Sequence, residues 1–446
     1  MIYTWTGNPF VDAGISAIQE LNGKLRLGDI TIDDLKMVAK QVVSLYTTDN
    51  WKKNLFSVFP NNPVTNPSIK DKKKRLESYL NELIQGIMPL SEVGNCIACG
   101  RRSSYREMTK TDVPLTGSGS LRNYFSFAVE GADYCQACTF AVQCSPLVFY
   151  ACGKLALIHP NSHKVMRYWA KRCVEAVQRQ IASNNYKGCF NEGFTNPMNA
   201  LFHITQDLIL SYEERWVEEN ATIRIYHFTN YNQGPELDMY DLPSPVFRFL
   251  AYVRQHPRFG DWLTVVRRGY LGKLEGKTED EYKNYRNGVY QRLLSNQSIL
   301  SYFVDVPNKA AIGDWSLLRV YLKEVLQMSD ARIESIKRLG DEIANIIQAS
   351  PNGKRRLGQL EMAKTYASFR MALLRLMRER IALKDETPLF TFDDYVENLF
   401  PDGALGWKET QDLLLFRLYE VLHPWLIAEG IIIEEVEEEI EETLEH

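Results

Sequence analysis

Apolar residues recur at helical spacing over most of the chain and alternate at strand spacing in only a few places. In the opening TGNPFVDAGISAIQELNG, Asn8 stands as an N-cap ahead of Pro9 and Asn22-Gly23 as a stop, which predicts a helix between them. A second helix starts at Thr31, with Asp34 completing a capping-box pattern and Leu35, Val38, Val42 and Val43 keeping a 3.6-residue period. FPNNPVTNPS (59–68) reads as a turn-rich loop, followed by a helix over about 69–85 that opens with KDKKKR. The stretch 161–183 is amphipathic, with Lys164, Arg167, Lys171, Arg172 and Arg179 on one side and Val165, Met166, Trp169, Cys173 and Val177 opposite. A Gly/Asn-rich loop (185–199) then leads into a helix over 197–218. ATIRIYHFTNY (221–231) alternates as a strand, and PSPVFRFLAYVRQH resumes helix.

From Met328 onward the pattern is helical, with Ser329 as an N-cap. Ile333, Ile336, Leu339, Ile343 and Ile347 form one stripe; Leu360, Ala363, Ala367, Leu374 and Met377 form another, with PNGKRRLG between them. The tail IIIEEVEEEIEETLEH spaces Val436, Ile440 and Leu444 at fours, as a packed helix with a solvated acidic face would. The fold class this predicts is α+β and predominantly helical: an irregular α/β N-terminal region with a cysteine-bearing insertion, then a C-terminal helical bundle. The expected divisions are 1–90, 91–145 for the insertion, 146–327 and 328–446.

A chain of 446 residues exceeds what one core usually organises. Its start has no basic and apolar leader pattern, and its longest apolar run, PLVFYACGKLALI, is too short to cross a bilayer, so a cytoplasmic location is expected. The net charge of −4 conceals polarity: residues 332–384 carry 12 basic and 5 acidic side chains, and 385–446 carry 2 and 18. Cations held apart from a strongly acidic tail raise the question of a polyanionic partner.

Eight cysteines need an account in a reducing compartment. Four, Cys144, Cys152, Cys173 and Cys189, lie among apolar neighbours and read as small core residues. The others form two CxxC pairs, Cys96/Cys99 in NCIACGRR and Cys135/Cys138 in DYCQACTF, with 35 residues between them. Two such pairs can give four thiolates to one tetrahedral zinc ion, and a site closed by four sulfurs is structural. Separate disulfides or thioredoxin-type redox pairs are the competing readings; neither pair has the redox sequence context, and two pairs favour metal. The long gap predicts that the insertion forms its own small lobe, with an aromatic strand at 124–129.

Catalysis finds little support. The seven histidines are scattered, LGKLEGKT lacks the first glycine of a phosphate-binding loop, and GSGS lacks the third of a dinucleotide fingerprint. No active site is expected. Nucleic-acid contact has more support, because grouped cations suit phosphates and Asn side chains suit adenine edges. The candidate contacts are Arg101 and Arg102 beside the first cysteine pair, Arg122 and Asn123 in the insertion, Lys164, Arg167 and Lys171, Asn191 and Asn196, and Arg370 and Arg375. A free-standing zinc-dependent DNA-binding regulator would use the same residues.

TWTGNPFVDAGISAI, CIACGR with CQAC, and GFTNPMNAL together resemble the CXXC–CXXC family of CRISPR-associated proteins, large subunits of type I-B Cascade complexes. The motifs cover about residues 1–230. The resemblance implies a non-catalytic role in an RNA-guided DNA surveillance complex. Its members bind guide RNA and target DNA beside handle-binding and backbone subunits, recognise the motif flanking the target (the PAM), help open the duplex, support the displaced strand and recruit a helicase-nuclease. It also implies that Cys96, Cys99, Cys135 and Cys138 hold the zinc. Some such systems make a small subunit from an internal start, which Met328 would supply here. The DNA-contact residues do not come from the resemblance; they rest on residue chemistry.

Overall fold

The computed structural model describes residues 1–116, 131–211, 222–231, 234–384 and 387–431. Arg122, Asn123, the expected strand at 124–129, positions 212–218 of the expected 197–218 helix and the tail from 432 lie outside the described residues. The fold is mixed α+β and mainly helical, with small sheets. Two compact units divide the chain: Met1–Phe247 with Leu274–Arg286, and Arg248–Lys273 with Asn287–His446.

The first unit is built around α1 (Pro9–Leu21). Asn8 caps it by accepting from the Val11 amide at 3.2 Å, and Pro9 begins its first turn. Every residue from Phe10 to Gln19 is buried, so this helix fills the centre of the unit. Its Asp12 carboxylate, fully buried, accepts from Thr6 N, Thr6 Oγ1 and Gly7 N and faces His159 Nε2 at 3.2 Å. Around it lie α2 (Ile32–Tyr46), with the Thr31/Asp34 capping box formed, α3 (Asp49–Phe56) and α4 (Lys72–Gln85). The last begins at the Asp71 cap, because that carboxylate accepts from Lys74 N, and residues 69–71 stay outside the helix.

A short antiparallel pair, β1 (Arg106–Met108) and β2 (Ala132–Tyr134), leads into α5 (Gln136–Cys144). Residues 145–160 form a 3₁₀ turn and the hairpin of β3 (Tyr150–Cys152) and β4 (Lys154–Pro160), turned at Gly153 with φ +70°. A crossover through α6 (His163–Ser183) and α7 (Pro197–Ser211) returns to β5 (Ile223–Tyr231), paired in turn with β6 (Gly234–Leu242). The sheet order is β3-β4-β5-β6, all antiparallel. Val165, Met166, Trp169, Cys173 and Val177 of α6 are buried as their period requires, and Trp169 Nε1 donates to Val148 O at 2.8 Å.

The second unit runs from α8 (Ser244–Arg254), which begins in the first, through α9 (Phe259–Arg268). The one-turn α10 (Glu279–Tyr282) returns to the first unit. Then follow α11 (Gly288–Leu294), α12 (Leu300–Phe303), the pair β7 (Val304–Asp305) and β8 (Ala310–Ala311), and α13 (Trp315–Glu324). Next come α14 (Asp330–Ala349), α15 (Gly353–Glu361), α16 (Tyr366–Ala382) and α17 (Trp407–Ala428). Ser329 caps α14, and its stripe of Ile333, Ile336, Leu339, Ile343 and Ile347 is buried.

The stripe read at 360–377 is different. The helix breaks after Glu361 and restarts at a Thr365–Ser368 capping box, which resets the phase. Phe369, Ala372, Leu373 and Leu376 are the buried positions, and Ala367 is exposed.

Candidate metal centre

The Sγ atoms of Cys96, Cys99, Cys135 and Cys138 all lie within 4.8 Å of one another, and none is in a disulfide. Two local structures bring them together. The first pair sits on a tight turn in which Gly100 N donates to Cys96 O at 2.8 Å and Cys96 N to Arg102 O at 3.1 Å. Gly100 takes φ +60°, a conformation glycine adopts without strain. A Cβ at Gly94 would overlap the Arg102 backbone, so the turn also closes tightly at its base. The second pair sits at the start of α5, with Cys135 in the capping position and Cys138 in the first turn. Helix N-termini favour thiolate charge. The β1–β2 pair and the bond from Ile97 N to Asp133 O at 2.9 Å hold the turn against this helix end.

Cys99 Sγ and Cys135 Sγ are 3.9 Å apart; four sulfurs at about 2.3 Å from one ion stand roughly 3.8 Å from each other in a tetrahedron. Cys96, Cys135 and Cys138 are each no more than 2% exposed, and Cys99 is half-buried. Hydrogen bonds from Cys135 and then Cys138 pull the Cys96 thiol down to about 6, and the bonds to Cys135, Cys96 and Cys99 push Cys138 far up. Thiols that constrain one another's protons in this way, with no cationic side chain among them, suit a divalent cation. The described residues of 91–145, which are 91–116 and 131–145, are woven into the first unit. Tyr3 Oη donates to Ala137 O at 3.1 Å, Asn8 Nδ2 to Tyr134 Oη at 3.0 Å and Tyr46 Oη to Gln143 O at 2.8 Å. The length of the insertion suggests a separate lobe, but eight of the nine residues of α5 are buried, and that helix has nowhere to go but the core. Cys144, Cys152, Cys173 and Cys189 are buried singly, and burial pushes each of their thiols up.

The candidate nucleic-acid residues have varied surroundings. Arg101 is exposed on the cysteine turn. Arg102 is 3% exposed; its Nε donates to Met88 O and its Nη2 to Ile2 O, both at 2.6 Å. Lys164 and Lys171 are exposed on α6, whereas Arg167 bonds Glu20 at 2.8 Å and the carbonyls of Lys24 and Leu25. The Asn191 amide is engaged at both ends, by Ala151 O and Gly193 N. Asn196 accepts from Met198 N at 3.0 Å and Asn199 N at 3.3 Å, beginning α7. Arg370 and Arg375 are exposed on α16 in the second unit.

One grouping the sequence did not single out is a cleft of about 380 Å³ lined by Arg179, Gln180, Lys187 and Asn191 among others. Gln180 braces its loop by bonding Gly188 O and Lys187 N, both at 2.9 Å. Spacing pointed to Arg179, but its meeting with Lys187 depends on the left-handed Asn184 (φ +50°), which no pattern announces.

A second cluster, Glu192, His203 and Asp207, has ligand types suited to a metal, but Arg172 bridges the two carboxylates. It is an ion-pair network within the unit.

No helix among the described residues is long and apolar enough to cross a membrane. Comparison with curated proteins and with solved structures gave no match. Residues 90–150, which contain both cysteine pairs, β1, β2 and α5, match the sequence model of the family described as CRISPR-associated protein (Cas_CXXC_CXXC). Over this segment, the chain is similar to the CRISPR-associated CXXC–CXXC family.

Proposed function

We propose that the chain is a non-catalytic large subunit of an RNA-guided, type I-B surveillance complex, and that zinc is the ion of its four-sulfur site. The observation that carries the reading is the thiolate cluster, anchored on a core helix, inside the segment that matches the CRISPR-associated family. In this role guide pairing reads most of the target, and the protein supplies flanking-motif recognition and backbone contacts. Recognition of the PAM, opening of the duplex beside it, support of the displaced strand and recruitment of a helicase-nuclease are the tasks assigned to it. Guide RNA, target DNA and the handle-binding and backbone subunits are its partners.

The exposed cations Arg101, Lys164, Lys171, Arg179 and Lys187 suit phosphate contacts in the first unit, and Arg370 and Arg375 in the second. Zinc fits because four thiolates in a small tetrahedral cage match its ligand preference. A small subunit translated from Met328 belongs to the same reading. Replacing that codon with a non-initiating leucine codon removes a short product if the assignment holds; an unchanged short band overturns it.

The deciding experiment is purification of the tagged chain from its own cells. Co-elution of short guide RNA with several partner subunits is expected, together with one zinc per chain. A chain that elutes alone and binds a specific duplex without RNA is a free-standing regulator instead.

A further inference from the structure

Helices α15 and α16 leave a basic and apolar face uncovered among the described residues. Arg370, Arg375 and Arg378 are exposed on α16, with Arg355 exposed on α15, and no carboxylate pairs with any of them among those residues. Between the arginines lie large apolar side chains in water: Met371 is 43% exposed, Ile381 72% and Leu383 40%. The buried side of the same helix is carried by Phe369, Ala372, Leu373 and Leu376. A helix apolar on both sides, with cations threaded through the outer one, has a surface suited to an acidic, apolar-spaced partner.

An acidic, apolar-spaced segment follows α17 in the sequence. Helix α17 ends at Ala428 and closes with Gly430 at φ +63° and a bond from Ile431 N to Leu426 O at 2.9 Å. At that exit Lys354, in the first turn of α15, bonds both Glu429 Oε2 at 2.8 Å and Glu429 O at 3.1 Å. Two residues on, Arg356 pairs with Glu379 of α16, which stands between Arg378 and Arg380 in sequence. The chain therefore leaves α17 beside the basic face. The next 15 residues, 432–446, carry eight glutamates and no Lys or Arg, with Val436, Ile440 and Leu444 at every fourth position. Helix α16 spans about 25 Å. The N-terminus of α15 adds a favourable dipole for anions.

We propose that residues 432–446 dock along the Arg375–Arg378 face of α15 and α16 and exclude nucleic acid from it. The docking stands on charge and apolar complementarity and on where the chain leaves α17. Only the exclusion rests on the nucleic-acid role proposed above. The arrangement makes the tail an internal competitor for the second unit's cations: a strand must displace it before reaching Arg370 or Arg375, and salt weakens both contacts.

Two measurements on the full-length chain test this. Zero-length carbodiimide coupling joins carboxylates to lysine amines in contact. Mass spectrometry of the coupled protein is expected to find glutamates of 434–445 joined to Lys354, Lys364 or Lys384. Coupling of those glutamates only to lysines elsewhere, or to none, overturns the docking whether or not the chain binds nucleic acid. Next, a full-length variant with the eight tail glutamates changed to glutamine is titrated with a labelled mixed-sequence 20-nucleotide single strand at about 50 mM salt. A gain in affinity of about tenfold over the natural chain is expected, and it should disappear in the R375E/R378E background. A gain that persists there reflects total charge and overturns competition at this face, as does no gain at all. If neither protein binds the strand while the crosslinks form, the nucleic-acid role fails and the docking stands.

Discussion

Arg101 and Arg102 are adjacent in sequence and opposite in role. The Arg102 guanidinium bonds two main-chain carbonyls of the first unit, so Arg102→Ala leaves two part-buried acceptors unmet and should cost about 1–2 kcal/mol in urea unfolding. Arg101→Ala should change stability by less than about 0.5 kcal/mol. If Arg101 touches a DNA phosphate, the same variant lowers the slope of log affinity against log salt by about 0.9. No pattern of types distinguishes two consecutive arginines; only the packing of Met88 and Ile2 does.

The cysteines are the contrary case, since their spacing alone announces the cluster. Cys135→Ser should abolish stoichiometric metal, read by elemental analysis, and lower the melting temperature; a variant that keeps one ion per chain would refute four-sulfur coordination. His227 gives a pH effect. It is buried against Cys152 O at 2.8 Å, and burial first, then the Lys154 charge, hold its pKa below the usual value. The unfolded chain takes up that proton as pH falls through about 6.5. Stability is therefore undiminished above that pH and declines below it, down to the depressed folded value. Comparing unfolding midpoints at pH 7.5 and 5.5, His227→Gln should show a smaller drop than the natural chain.

At the scale of elements, caps were the most legible feature. Asn8 with Pro9, Thr31 with Asp34, and Ser329 each start a helix where their chemistry says. Long one-sided periods, as in α6 and α14, were equally clear because one face dominates. Elements that depend on distant partners were not. Strand β6 is exposed along most of its length and exists because β5 pairs with it, so the short alternation of Glu236, Leu237, Asp238 and Met239 marks no buried face. Helix α5 is buried nearly all round and has no polar face to set a period. Its contact with α1 has one narrow point: a Cβ at Gly14 would overlap the Ala141 carbonyl oxygen. Gly14→Ala should therefore cost about 2–3 kcal/mol by forcing two buried helices apart, read as a lower denaturation midpoint with unchanged slope. The candidate site divides the same way. Its cysteines were readable because their spacing is local, and its scaffold was not, because that is tertiary.

At the scale of the whole chain, each unit has its own core. In the second, α17 packs on α12, β7 and β8 as well as on α14, and Phe416 meets Phe303 and Trp315. A product beginning at Met328 would lack Phe303 and Trp315. The fragment 328–446 made alone should bind a hydrophobic dye more strongly per residue than the full chain, unless a partner covers that surface; equal binding would mean that its helices close up without them.

The placement of Cys135 and Cys138 has a consequence for the cell. These two residues begin the helix that plugs the heart of the first unit, so an empty site is not a dormant spare but an unfinished protein. Cells starved of the ion should lose the polypeptide to proteolysis while its messenger persists. The amount of folded chain would then follow mineral supply before any gene is switched off.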